Sequence, residues 1–304
     1  MIAFIKKPYG WAILFSLILI GTFAYVLMDT LLIPKSLAAV PGGGQNQQQA
    51  QNLAEQATNA AITETSYCDK NIKINIETVR KYDTTYYVAD LQLSDADYLK
   101  TALAENTFGR NLKAATSDIA RENNAIFAIN GDYYGFRNSG YVLRNGSLYR
   151  DTARTGSSTD DLVISKNGTF SIIDESMIHM NDLSTETISQ ILSFGPALIR
   201  DGSITVNENS EVSKSKSSNP RTAIGQISDL HYIVIVSDGR TEESNGLSLL
   251  ELAGEMKGRG CVTAYNLDGG GSSTMYFNGT IVNNPTDGRT NGEREVSDIV
   301  YIGY

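Results

Sequence analysis

The sequence predicts an α+β fold: a mixed, largely antiparallel β-sheet core with a few packing helices, preceded by one N-terminal transmembrane helix. Three observations carry this. Strand-like runs outnumber helical patterns and are not regularly interleaved with them, which argues against a doubly wound parallel sheet. Asn-Gly and Asp-Gly turns join alternating segments in series, the signature of hairpins. Finally, "YGWAILFSLILIGTFAYVLM" holds no charge over about 20 residues, the length that spans a bilayer.

That apolar run follows Lys6 and Lys7 and precedes Asp29. Positive charge before it keeps the N-terminus cytoplasmic and puts the rest outside, as a single-pass protein of the cell membrane. A cleaved signal peptide is the rival, since "SLAAVP" offers small residues at Ser36, Ala38 and Ala39. The run is longer than a usual signal core, which favours an uncleaved anchor. Residues 1–34 thus read as cytoplasmic tip and anchor, 35–66 as a flexible Gly/Gln/Asn/Ala-rich linker, and 67–304 as the folded domain.

Within the domain, "IKINIETV" (Ile72–Val79) alternates apolar and polar residues, so it reads as a half-buried strand, and "TYYVADLQL" as a second. "DYLKTALAEN" and "ATSDIARENN" read as helices, and "AIFAIN" (Ala125–Asn130) as a buried strand. "YVLRNGSLYR", "DLVISKNGTFSII" and "ALIRDGSITV" are hairpins. "TAIGQISDLHYIVIVSD" supplies two more strands. "SLLELAGEMKGRG" is the clearest helix, with Leu249, Leu252, Ala253 and Met256 on one face and a glycine stop. "VTAYNL" and "STMYFNGTIVN" flank a glycine loop, and "SDIVYIGY" closes the chain as a strand. The Asn-Gly-Ser and Asn-Gly-Thr sequons are accounted for as turns.

Composition excludes several functions. The 304 residues suffice for one large domain or two small ones, and 41% hydrophobic content supplies a core. A net charge of −9 and no basic run longer than Lys6-Lys7 exclude nucleic acid as the main partner. His179 and His231 are the only histidines and no CxxC occurs, so a Cys/His zinc site is excluded. Cys68 and Cys261 are either one disulfide or two free thiols.

Candidate chemistry gathers where polar turns interrupt buried strands. "INGDYYGFR" delivers Asn130, Asp132 and two tyrosines suited to sugar faces. "FGPALIRDG" brings Gly195-Pro196 to a strand start. "NPRTAIG" puts Arg221 at a strand mouth, a natural clamp for phosphate or carboxylate. "IVIVSDGR" ends a buried strand on Asp238. In "NLDGGGSS", Asp268 leaves a strand and Gly269, Gly270 and Gly271, with Ser272 and Ser273, form a loop able to nest an anion. It is no Walker loop, lacking GK[ST], and no nucleophile elbow, lacking G-x-S-x-G. "TDGRTNGERE" adds Asp287, Arg289, Glu293 and Arg294. Strand ends carrying acids, arginine and glycine suit carboxylate chemistry on a glycosidic bond, with a place for phosphate.

The ordered set "INGDYYG … FGPALIRDG … NPRTAIG … SDGR … YNLDGGGSSTMYFNG … GERE" closely resembles the phosphodiester glycosidase family, whose bacterial members are often labelled exopolysaccharide biosynthesis proteins. It covers about 125–304, and Asp132 stands where the family pattern often has glycine. The resemblance implies hydrolysis of a sugar-1-phosphodiester in a cell-surface or exopolysaccharide glycan. It implies that Arg221 and the Gly269–Ser273 loop hold the phosphate, with Asn130, Asp132 and Arg294 alongside. Asp268 and Glu293 become the acid/base or nucleophile candidates. Asp238 orients them or holds a divalent cation, calcium or magnesium. Two alternatives stay open: a non-catalytic, membrane-tethered polysaccharide-binding or assembly factor, and a calcium-stabilised structural domain.

Overall fold

In a computed structural model, the structure describes residues 9–39, 60–156, 159–210, 218–288 and 290–304. The helix Gly10–Leu31 is apolar around its whole circumference and long enough to cross a membrane. Lys6, Lys7, Arg289, the middle of the expected linker and most of the polar loop before Asn219 lie outside the described residues.

Among the described residues, three large antiparallel sheets and two two-stranded ribbons build the domain. The largest has nine strands in the order Ser203–Ile204, Ala197–Arg200, Thr263–Asn266, Thr222–Ser228, His231–Ser237, Thr84–Leu93, Ile72–Lys81, Ser66–Cys68, Ala61–Ile62. A five-stranded sheet joins the two NG hairpins through Ile188–Leu192. A second five-stranded sheet runs Thr280–Ile281, Met275–Phe277, Phe127–Asn130, Asp298–Ile302, Leu99–Leu103. One apolar cluster joins all three, with Ile74, Leu91, Phe127, Leu162, Leu192, Val234, Met275 and Val300 at its centre.

Three of the Asn-Gly and Asp-Gly turns adopt the conformation their residues favour, whereas at Asn167-Gly168 only the glycine has positive φ. Asn145-Gly146, Asp201-Gly202 and Asn278-Gly279 all have positive φ at both positions, as type I′ turns require. The helix Leu249–Gly258 starts on a Ser248–Glu251 capping box and buries Leu249, Leu252, Ala253 and Met256 on the outer face of the nine-stranded sheet. The helix Thr116–Glu122 packs Ile119 and Ala120 against Ala128, Tyr276 and Ile299.

Two expectations are corrected and one open alternative is decided. "DYLKTALAEN" is not a helix; Leu99–Leu103 is a strand between two single 3-10 turns. It pairs residue for residue with Asp298–Ile302. Helix preferences of a few tenths of a kcal/mol per residue lose to a sheet ladder and burial. The expected linker is structured at both ends: Lys35–Ala39 pairs with Thr107–Arg110, and Ala61–Ile62 with Ser66–Cys68. The first pair is a two-stranded ribbon of its own and the second extends the edge of the nine-stranded sheet, pairings that composition cannot reveal. Cys68 is exposed, Cys261 is buried, and both are free. The strand ending at Cys68 and the strand just after Cys261 lie five places apart in the nine-stranded sheet. At a strand spacing of about 4.8 Å that is roughly 24 Å, beyond any disulfide.

Candidate active site

The site grows from the ends of three strands. Phe127–Asn130 leads into Gly131 and Asp132, Thr263–Asn266 leads into Asp268 and the glycines, and Asp298–Ile302 begins beside both. Asn130 ties them together. Its amide donates to the Asp268 carbonyl at 2.6 Å, and its oxygen accepts from the Thr222 hydroxyl at 2.8 Å and the Thr274 amide at 3.3 Å. A buried amide side chain so fully engaged braces the loop.

Past Asp268 the chain makes a single 3-10 turn, Gly270–Ser272. The Asp268 carboxylate accepts from the Gly269 amide at 2.9 Å and the Ser272 hydroxyl at 2.7 Å. The remaining glycine-loop hydrogen bonds stay within the protein: the Gly270 amide donates to the Pro220 carbonyl, Ser272 to Gly269 and Ser273 to Gly270. The expected anion nest therefore has four of its amides engaged by the fold. What the glycines permit is close approach. Gly270 has φ +64°, and a Cβ there would sit 2.8 Å from Arg240 Nη2. A Cβ on Gly271 would sit 2.5 Å from Asp287 Oδ1 and 2.8 Å from Arg294 Nη2.

A pocket of about 320 Å³ opens at this point, lined by Asp132, Tyr133, Phe136, Asp268, Ser272 and Arg294 among others. Arg294 is aimed by Asp287, which accepts from its Nε at 2.9 Å and its Nη2 at 2.5 Å. Lys113 and Glu295, paired at 2.7 Å, stand on the rim. Tyr133 and Phe136 stack at 4.7 Å between centroids, with the Arg137 guanidinium 5.4 Å from the Tyr133 ring. Stacked aromatics beside a cation present a flat apolar wall with polar edges, as a sugar ring requires.

Below the pocket lies a buried charge cluster. Arg144 Nη2 reaches both Asp132 Oδ2 and Asp298 Oδ2 at 2.8 Å, with all three side chains almost wholly excluded from water. Asp132 also accepts from the Ser193 amide at 2.8 Å and the Tyr134 amide at 2.9 Å. Asp298 Oδ1 is buried with no hydrogen-bond partner among the described residues. Two carboxylates around one guanidinium leave one charge in excess. Burial, then the neighbouring Asp132 charge, push the Asp298 carboxyl up to about 8. The Asp268 carboxyl is also raised, by burial, against the lowering effect of Ser272 and Gly269.

The other expected residues sit elsewhere. Glu293 turns to the Thr116–Glu122 helix, accepting from the Ser117 amide at 3.0 Å and its hydroxyl at 2.6 Å. Asp238 accepts from the Asn284 amide at 2.7 Å on another side of the loop, its carboxyl raised by burial. Arg221 is buried under the loop, its Nε donating to the Leu247 carbonyl at 3.0 Å; burial, then Arg240, lowers it to about 10. Ser273 is fully buried. None of these four lines the pocket. Among the described residues no group of three or more His, Cys, Asp or Glu side chains is gathered to hold a cation.

Arg144, Asp298, Lys113, Phe136 and Glu295 escaped the sequence reading. For Arg144 a signal existed: an arginine in an otherwise apolar hairpin strand, "YVLR", demands a buried acid. Lys113 and Glu295 are ordinary surface charges until the fold brings them together.

A model of the family described as phosphodiester glycosidase matches residues 123–303. The human N-acetylglucosamine-1-phosphodiester alpha-N-acetylglucosaminidase is 33% identical over 194 residues, covering 58% of this chain and 36% of that protein. The SPbeta prophage-derived uncharacterized protein YomE of Bacillus subtilis is 29% identical over 202 residues, 65% of this chain and 31% of its own. The chain thus spans about a third of the length of the curated relatives it matches. The catalytic domain of the zebrafish N-acetylglucosamine-1-phosphodiester alpha-N-acetylglucosaminidase, auto-inhibited by its pro-peptide, superposes with a TM-score of 0.61 at 20% identity, covering 90% of this chain and 89% of that one. The fold is the same.

Proposed function

The chain belongs to the phosphodiester glycosidase family, and from that premise we propose that it hydrolyses a sugar-1-phosphodiester in the Asp268 pocket, outside the membrane. The observation that carries the proposal is the meeting of a partly buried carboxylate, a fixed arginine and an aromatic wall in one cavity. Relatives that carry the name N-acetylglucosamine-1-phosphodiester alpha-N-acetylglucosaminidase support an N-acetylglucosamine head group.

In this reading Arg294, held in plane by Asp287, takes the phosphate bidentately. Tyr133 and Phe136 receive the sugar face. Water bonds to the anomeric carbon while the bond from that carbon to the phosphate oxygen breaks. The electron pair leaves on the phosphate monoester, and a water proton passes to a carboxylate. Asp268 is the acid/base candidate, its raised affinity for a proton suiting it to exchange one. Asp132, anchored by Arg144, is the second carboxylate in this reading, whereas Glu293, Asp238 and Arg221 support the walls. Exopolysaccharide or another cell-envelope glycan is the proposed source of substrate, and the helix Gly10–Leu31 the proposed membrane anchor.

The test is turnover of a chromogenic N-acetylglucosamine-1-phosphodiester by the wild type and by Asp268→Asn. The proposal expects a loss of at least 100-fold with an unchanged melting temperature. Equal rates for the two proteins refute the site. A wild type that binds glycan and cleaves no sugar phosphodiester refutes the reaction.

A further inference from the structure

The end of the apolar helix is seated on the domain, beside the pocket. The last carbonyls of a helix lack partners within it. Here Asn111 Nδ2 donates to the Thr30 carbonyl at 3.4 Å and the Ile33 carbonyl at 3.1 Å, and Arg110 Nη2 to Thr30 at 3.2 Å. The chain then runs straight into the strand Lys35–Ala39, which pairs Lys35 with Arg110, Ser36 with Gly109 and Ala38 with Phe108. Gly109 makes this approach possible, because any Cβ there would collide with the Lys35 carbonyl. An ion pair of 2.5 Å between Lys35 and Asp29 closes the corner.

The seat connects to the pocket through few atoms. Phe108 of the paired strand stacks on Tyr134 at 5.2 Å, and Tyr134 sits between the pocket residues Tyr133 and Phe136. The Asn111 amide donates to the Gly135 carbonyl at 3.2 Å. Lys113, on the pocket rim, lies two residues beyond Asn111. The helix has 22 residues, about 33 Å at 1.5 Å per residue, close to the roughly 30 Å of a hydrocarbon core. The uncharged part of the helix ends at Met28, so a membrane around it ends near Asp29, which leaves the Arg110–Lys113 seat on Thr30 and Ile33 and the pocket rim beside it at the level of lipid head groups. Leu32 and Leu37 are exposed at this seat, suited to the interface.

We infer that the substrate is a sugar-1-phosphodiester whose other arm is a lipid embedded in the same membrane, presented by the docked helix to the pocket at head-group height. This rests on the proposed hydrolysis and adds the class of aglycone. The phosphate of such a lipid lies at the depth of Lys113 and its neighbours, and a soluble polymer gains nothing from the docking.

The experiment uses the full chain in lipid nanodiscs and two probes with the same N-acetylglucosamine-1-phosphate head, one esterified to a long polyisoprenyl chain in the disc, the other to methanol. The wild type is expected to cleave the lipid probe at least ten-fold faster. Arg110→Ala/Asn111→Ala, which keeps the anchor and loses the seat, is expected to lose most of that preference while its rate on the methyl probe stays within two-fold. A double variant that keeps the full preference, or a wild type without one, overturns the inference. Docking is read separately by cross-linking Lys35→Cys to Arg110→Cys in a Cys68→Ser background. Failure of that pair to oxidise in nanodiscs removes the seat and the inference with it. Cross-linking with no cleavage of either probe fails the proposed hydrolysis itself.

Discussion

Asp298, under the pocket, is a residue whose chemistry is exposed to pH. Its carboxyl is raised from the ordinary value of 3.8 to about 8. The folded state therefore holds a proton that the unfolded chain releases at lower pH. Stability is highest below about pH 4 for this group and declines as pH rises towards 8, where the folded state must give the proton up. Urea unfolding at pH 5 and pH 8.5 is expected to show that decline in the wild type and a smaller one in Asp298→Asn. Glu293 and Asp268 provide a contrast. Glu293→Gln weakens the hold on the Ser117 amide and hydroxyl. It should cost about 1 kcal/mol of stability, as loss of a helix cap does, and leave turnover of a sugar phosphodiester within about two-fold. Melting and turnover of this variant, set beside Asp268→Asn, separate the helix-capping acid from the one in the pocket.

At the scale of elements, the glycine turn and the Leu249–Gly258 helix behave differently. Gly271→Ala places a methyl group against the Asp287–Arg294 pair. Movement of that guanidinium is expected to raise KM about ten-fold, with little change in the midpoint of unfolding. Steady-state kinetics and a melting curve on one preparation decide this. Leu252→Ala acts the other way. Leu252 is fully buried under the nine-stranded sheet, so its truncation should cost about 2–5 kcal/mol and leave KM of the remaining folded protein unchanged. The helix was readable in advance because its apolar spacing and its glycine stop agree with one another, and the structure adds the Ser248–Glu251 capping box at its start. The Leu99–Leu103 strand was misread because Ala, Leu and Lys favour a helix locally, and the partner that overrules them lies almost 200 residues away in sequence.

For the whole molecule, the domain core is independent of the anchor. Among the described residues, the central cluster draws only on those from Ala60 onward. A chain beginning at Ala60 is expected to fold with native near-UV dichroism. It should melt only a few degrees below the full protein, since it loses the two-stranded ribbon that Thr107–Arg110 makes with Lys35–Ala39. Thermal unfolding of the two proteins measures the difference. Aggregation of the shorter chain in place of cooperative melting makes the N-terminal strand part of the core.

By itself the sequence determined whatever depends on near neighbours. Alternation and Asn-Gly pairs specified the strands and hairpins, an uncharged apolar run specified the first helix, and the order of short motifs specified the family. Those signals are local because backbone preference and side-chain period are local. Only the tertiary structure decided which acids face the pocket. Asp268 and Glu293 read alike as strand-flanking carboxylates, yet one turns inward to Ser272 and the other to Ser117. Arg144 with its two aspartates, the seat under the helix and the separation of the cysteines were likewise settled by packing across distant segments. A charge acquires its role from what surrounds it in three dimensions, and burial and pairing at such range leave no period in the chain.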